Sequence, residues 1–121
     1  MLDELKQYIS SCGYENIVTG TLPDPQTQLN VICVNEWDCT VSEINDGTGV
    51  HYIRIHVRRS VYQDAQDVCK ELFEKLDSGP DETLFHLTPD CFCIARPLRG
   101  PLISEQGASS TTFYCELALW G

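Results

Sequence analysis

Seven cysteines, three histidines and eighteen carboxylates are the groups in this chain able to do chemistry, and their spacing decides how far that chemistry goes. The cysteines are Cys12, Cys33, Cys39, Cys69, Cys91, Cys93 and Cys115. Their number is odd, and no two stand at the C-x-x-C spacing that brings two thiolates onto one zinc ion. Cys91 and Cys93 are one residue apart, which in a strand sends both side chains into the same layer. Most of the seven fall at apolar-phase positions, where a free thiol behaves as a small buried hydrophobe. His51 and His56 differ in strand parity, so they face opposite sides of a sheet and do not share a ligand without a bulge. The chain has no glycine-rich phosphate loop, no G-x-S-x-G elbow and no H-E-x-x-H motif. The carboxylate pairs Asp3-Glu4, Asp64-Asp67 and Asp81-Glu82 fall on helix surfaces or turns, where solvated acids are ordinary. The residues therefore point to a non-enzymatic protein with no catalytic centre, no metal and no cofactor.

Charge narrows the partners. A formal net charge of -10 and a pI near 4.5 argue against gripping phosphates over a broad basic surface, so specific nucleic-acid binding is not expected. Arg54, His56, Arg58 and Arg59 nevertheless lie together at the end of one predicted strand; a solvated strand face paired with acidic neighbours is the plain reading of them. No apolar run approaches the roughly 18 residues of a membrane span, and the start carries acids where a signal peptide carries bases, so a cytosolic fold without a membrane is expected. At 121 residues, 42% hydrophobic and 21% charged, the chain reads as a single domain, residues 1–121, around one core.

The elements that must position these residues follow from periodicity. Leu2, Leu5, Ile9 and Cys12 recur at helical spacing, with Asp3 and Glu4 at the start and Gly13 as a C-cap. Residues 19–25, with two prolines and a glycine, read as a loop, and residues 29–34 as a strand. Residues 35–49 read as a long loop, with a turn at Asp46-Gly47. Residues 50–58 alternate, with His51, Ile53, Ile55 and Val57 on a core face and Tyr52, Arg54, His56 and Arg58 on a wet one. Ser60 and Gln63 fit a capping box ahead of a helix whose stripe is Val61, Ala65, Val68, Leu72 and Leu76, ending at Asp77-Ser78-Gly79-Pro80. Strands are expected at 84–87 and 91–95 around a Thr88-Pro89-Asp90 turn, a connection at 97–110, and a strand at 111–120 with Phe113, Cys115, Leu117 and Leu119 on one face. The sum is an α+β fold of order α-β-β-α-β-β-β, two helices packed on one face of a mainly antiparallel, twisted sheet.

In this order the strings resemble the minor capsid and tail-terminator proteins of the head-tail neck in long-tailed bacteriophages and prophages. The resemblance is carried by the short first helix, the Gly-x-Leu-Pro-Asp turn at 20–24 and the strand 31–35. It continues through the strand 50–58 running into Tyr62-Gln63-Asp64-Ala65, then the Gly100-Pro101 turn and the closing Thr111-Thr112-Phe113-Tyr114-Cys115-Glu116-Leu117. It implies a virion subunit, made in the bacterial host cytoplasm. Such a subunit forms a ring, a hexamer by the resemblance, which caps the tail tube and joins it to the head-completion protein. DNA at most passes through the lumen. On this reading residues 37–49 and 99–109 are contact arms. Arg54, Arg58 and Arg59 are candidates for salt bridges across subunits, and Trp37 and Trp120 are candidate apolar anchors. A small acidic partner-binding module of the immunity or antitoxin kind is the alternative from another class; it predicts a monomer or dimer with one acidic face.

Overall fold

The computed structural model describes the backbone of residues 2–26, 28–41 and 49–120 and, within these, all side chains but those of 38–41. Helix α1 (Leu2–Ser11) forms as its spacing predicts, burying Leu5 and Ile9, and the chain leaves it through Gly13 at a left-handed φ of 98°. Next comes a three-residue strand, β1 (Ile17–Thr19), which the sequence pattern does not reveal because three positions are too few for an alternation to register. It pairs in parallel with β2 (Val31–Val41), Ile17 opposite Ile32 and Thr19 opposite Val34. The observed order is therefore α-β-β-β-α-β-β-β rather than the expected one.

Two stretches expected to be loops are largely strand. β2 continues through Val41 against β3 (Gly49–Arg59), so the expected loop at 35–49 is corrected, and only residues 42–48, with the Asp46-Gly47 turn, lie outside the described residues. A register shift between Glu36 and Asp38 makes Trp37 a bulge residue, and a bulge breaks the period-2 pattern by which a strand is recognised. Likewise β5 runs from Cys91 to Gln106 (Cys91–Gln106) instead of ending at Ala95. Its short neighbour β4 (Phe85–Thr88) pairs only as far as Cys93, so Pro97 and Pro101 sit on an open edge where the lost N–H groups break no ladder. Three register shifts against β6 (Thr111–Trp120) absorb the irregular backbone, and the connection at 97–110 shrinks to 107–110. Strand β6 falls on its expected residues.

The six strands run in the order β1-β2-β3-β6-β5-β4, antiparallel except at β1–β2. Helix α2 (Tyr62–Lys75) starts one residue too late for the expected capping box. Val61 is the N-cap with no side-chain cap bond, and the Gln63 amide donates instead to Asp67 at 2.8 Å. The helix packs on β3, β6 and β5, while α1 touches β1, β2 and β4, members of both ends of the strand order. The sheet thus curls until its two ends share α1, where Tyr8 meets Phe85 edge to face at 5.1 Å. Leu5 and Ile9 of α1, with Ala65, Cys69, Leu72 and Leu76 at α2, join one core with alternate strand residues such as Val34, Ile55, Phe113 and Leu117. Each buried Leu, Ile, Val or Phe among them contributes about 1.5–3 kcal/mol.

Candidate assembly surface

The strand residues of opposite parity form a second surface, turned away from the helices. Strand pairing sets Arg54 opposite Glu116, His56 opposite Tyr114, Arg58 opposite Thr112 and Tyr52 opposite Ala118. β5 adds Arg96 opposite Ala118 and Arg99 opposite Glu116, so residues far apart in sequence meet on one face. Here the expectation of a simply wet face is corrected: Arg58, Thr112 and Glu116 on it are buried.

At its centre is the Glu116 carboxylate. Arg99 Nε approaches its Oε1 at 3.2 Å, and an Arg54 guanidinium nitrogen stands 3.6 Å from Oε2. Arg99 also donates to the Tyr114 hydroxyl at 2.9 Å, and that bond, with the charge of Glu116, holds the guanidinium above its ordinary pKa. Arg54 lies 5.3 Å from the Tyr114 ring and 5.8 Å from the Trp37 ring, sandwiched by cation–π contacts. Trp37 in turn tilts against Tyr52 at 5.2 Å. At the far end of β6, Arg96 stacks 5.4 Å over Trp120 and pairs with Glu82. His56 lies 5.8 Å from Tyr114, and burial, then the charges of Arg54 and Arg58, holds its ring below its ordinary pKa and so neutral.

Ion pairs as exposed as these add at most about 1 kcal/mol to a fold. The side chains of Arg54, Arg96 and Arg99 are 36%, 49% and 61% exposed, so the outer Arg96–Glu82 pair does little for stability, whereas Glu116, 9% exposed, depends on its arginines to offset its burial. The network also holds long side chains in one arrangement, and side chains ordered in advance lose less entropy in any contact they make. Arginine and large aromatic residues are also the types enriched at the energetic centres of protein interfaces. Leu102, opposite Tyr114 on β5, extends the surface with an exposed apolar side chain.

The five candidate residues from the sequence separate here. Arg54, Trp37 and Trp120 belong to this surface. Arg58 lies on the same strand face but is covered: it is 1% exposed, its Nε donates to Thr112 Oγ1 at 3.0 Å, and one terminal nitrogen donates to the carbonyls of Pro23 at 2.6 Å and Gln28 at 3.3 Å. It is a strap fastening the 20–30 connection to the sheet, with Glu105 3.8 Å away. Arg59 points elsewhere, donating to the Arg58 carbonyl at 2.8 Å, its pKa lowered by burial against the charges of Tyr14 and Asp64. The sequence reading missed Arg96, Arg99, Tyr52 and Tyr114 as members. The first two flank prolines in a stretch read as a connection, although the alternation of Tyr114, Glu116 and Trp120 already marked their face.

Elsewhere, a cleft of about 650 Å³ lies between the 20–30 connection and the 107–110 turn, lined by Asp24, Pro25, Leu29, Glu105 and Ser110 among others. Cys33, Cys69, Cys93 and Cys115 are buried free thiols; burial pushes Cys93 up to about 11, and hydrogen bonding to Cys69, then burial, pushes Cys115 far higher. Among the described residues no three His, Cys, Asp or Glu side chains stand close enough to hold a metal ion, and no helix is long and apolar enough to cross a membrane.

The fold and this surface define an α+β domain with a preorganised arginine-aromatic face on one side of its sheet. A comparison with protein-family models and with curated proteins returns no match for the chain.

Proposed function

We propose that this protein is a structural subunit of a long-tailed phage or prophage, a tail terminator or minor capsid protein that forms a ring on the tail tube and joins it to the head-completion protein. The observation that carries the reading is the arginine-aromatic face, where Trp37, Arg54, Tyr114, Arg99 and Trp120 are held in fixed contacts with large parts of their side chains left exposed. A protein that keeps such a face exposed in an otherwise acidic chain has a protein surface to bind there. The acidic balance of -10 suits a ring whose lumen lets DNA pass without holding it. The contact arm expected at 99–109 is replaced in this reading by the β5–β6 hairpin, which carries Leu102 and Ile103 at its exposed end. The alternative, an acidic module masking a basic partner, makes the carboxylates the working surface and gives the ordered arginines no task.

The test is tube assembly. Purified protein is added to polymerising tail-tube subunits from the same genetic neighbourhood, and the tubes are imaged by negative stain. The expected result is tubes of limited length with an extra ring at one end. Tubes of unrestricted length with bare ends would overturn the reading.

A further inference from the structure

All five arginines lie in β3 and β5, and all three lysines lie in α1 and α2. The two helices carry Asp3, Glu4, Asp64, Asp67, Glu71 and Glu74 against three lysines, a balance of 3 - 6 = -3. On the open sheet face Arg54, Arg96 and Arg99 oppose Glu116 and Glu82, a balance of 3 - 2 = +1. Along α2, Asp67, Glu71 and Glu74 stand at i, i+4 and i+7 and share one exposed side of the helix with Lys70, away from the core-facing Ala65, Cys69 and Leu72. Glu71 is paired with Lys75 at 3.0 Å, and the helix as a whole carries four acids against two lysines, 2 - 4 = -2. The subunit is therefore polar across its thickness, with a basic, aromatic sheet face on one side and an acidic helix on the other.

We infer that the occupant of the open sheet face is a second copy of this chain, presenting its α2. This assignment rests on the ring reading and adds which surfaces meet. A closed ring needs a heterologous contact, two different patches that complement each other and repeat around an axis, whereas a two-fold dimer needs one self-complementary patch. The arginine face is not self-complementary, because apposing two copies brings Arg96 and Arg99 against like charge. Against α2 of a neighbour the same guanidinium forks meet carboxylates, in the geometry arginine holds best. The aromatic rings of Trp37 and Trp120 then supply the apolar centre and the charge pairs the register.

Two charge-reversed variants test this by light scattering over a concentration series. One reverses the sheet face, R96E/R99E, and the other reverses the helix, D67K/E74K; thermal unfolding of each checks its fold. If the sheet-face double variant loses its fold beside Glu116, R96E alone takes its place, since its partners Glu82 and Trp120 both lie at the periphery. The wild-type chain is expected to assemble, and each variant alone to fall to the mass of one subunit, about a sixfold loss for a hexamer. An equimolar mixture of the two is expected to regain the wild-type mass, because every contact is then complementary again, alternately in the native and in the reversed sense. Variants that keep the wild-type mass, or a mixture that stays dispersed, would overturn the assignment of faces while leaving the ring reading standing. A wild-type chain that never assembles would overturn both.

Discussion

The two faces of β3 and β6 are made by the same strands, residue by residue in alternation, and they do different work. On the helix side Ile53, Ile55, Val57, Phe113, Cys115, Leu117 and Leu119 make an apolar centre between His51 at one end and Arg59 and Thr111 at the other, and apart from Phe113 at 3% these seven have no measurable exposure. On the other side stand Arg54, His56, Arg58, Thr112, Tyr114 and Glu116, where polar groups hold one another. The first face supplies the free energy of folding through area removed from water. The second adds hydrogen bonds and ion pairs that offset the burial of its own charges, and its value lies in order. Arg58 marks the line between them, a residue of the second face that is covered as fully as the first.

The sharpest contrast comes from truncating each face in turn. Leu117→Ala opens a cavity beneath α2 and is expected to cost about 3–4 kcal/mol, read as a lower urea midpoint with unchanged slope. Arg58→Met breaks the comparison from the other side. It keeps most of the aliphatic stem but leaves the Pro23 and Gln28 carbonyls and Thr112 Oγ1 without their donor, with an expected cost of about 2–3 kcal/mol and earlier proteolysis at residues 20–30. A stability within about 0.5 kcal/mol of wild type would show that the strap is not needed and the two faces are alike there.

Acidity gives a weaker but signed effect. His56 is held neutral in the fold, its pKa below the ordinary 6.5, first by burial and then by Arg54 and Arg58. The unfolded chain therefore binds a proton that the folded chain refuses, so stability falls as the pH drops below about 6.5 and is unaffected above it. Urea midpoints measured from pH 7.5 down to 5.5 are expected to show this slope in the wild type and a shallower one in His56→Gln. Smallest on folding is Tyr114→Phe, which removes the hydroxyl that Arg99 donates to and is expected to cost less than about 1 kcal/mol. Its effect is expected on assembly instead, as a higher concentration needed for half-maximal mass in light scattering.

The legible parts of the fold are those where one period runs unbroken. β6 alternates strictly from Thr111 to Trp120, and α2 shows a full apolar stripe, so both were readable from residue types alone. β2 and β5 are readable only in their first parts, 31–34 and 91–95, because the bulge at Trp37 and the shifts around Pro97, Arg99 and Ile103 insert residues that reset the alternation beyond them. Of the surface, parity placed Arg54, Tyr114, Glu116 and Trp120 on one side of the sheet, but it carries no information about what covers a face. The burial of Arg58 depends on carbonyls 30 and 35 residues away in sequence, in a loop whose path the pattern does not give. Arg96 and Arg99 join the site only because an edge strand tolerates prolines.

Both tryptophans of the chain, Trp37 and Trp120, lie on the open face, so their fluorescence reports directly on whether that face becomes covered. The most direct measurement is emission and acrylamide quenching recorded on the same samples as mass, across a concentration series. With Trp37 46% exposed in the subunit, the emission is predicted to shift to shorter wavelength and its quenching to fall in step with the gain in mass. A mass that rises while emission and quenching stay constant would contradict the account, since the subunits would then be meeting through some other surface.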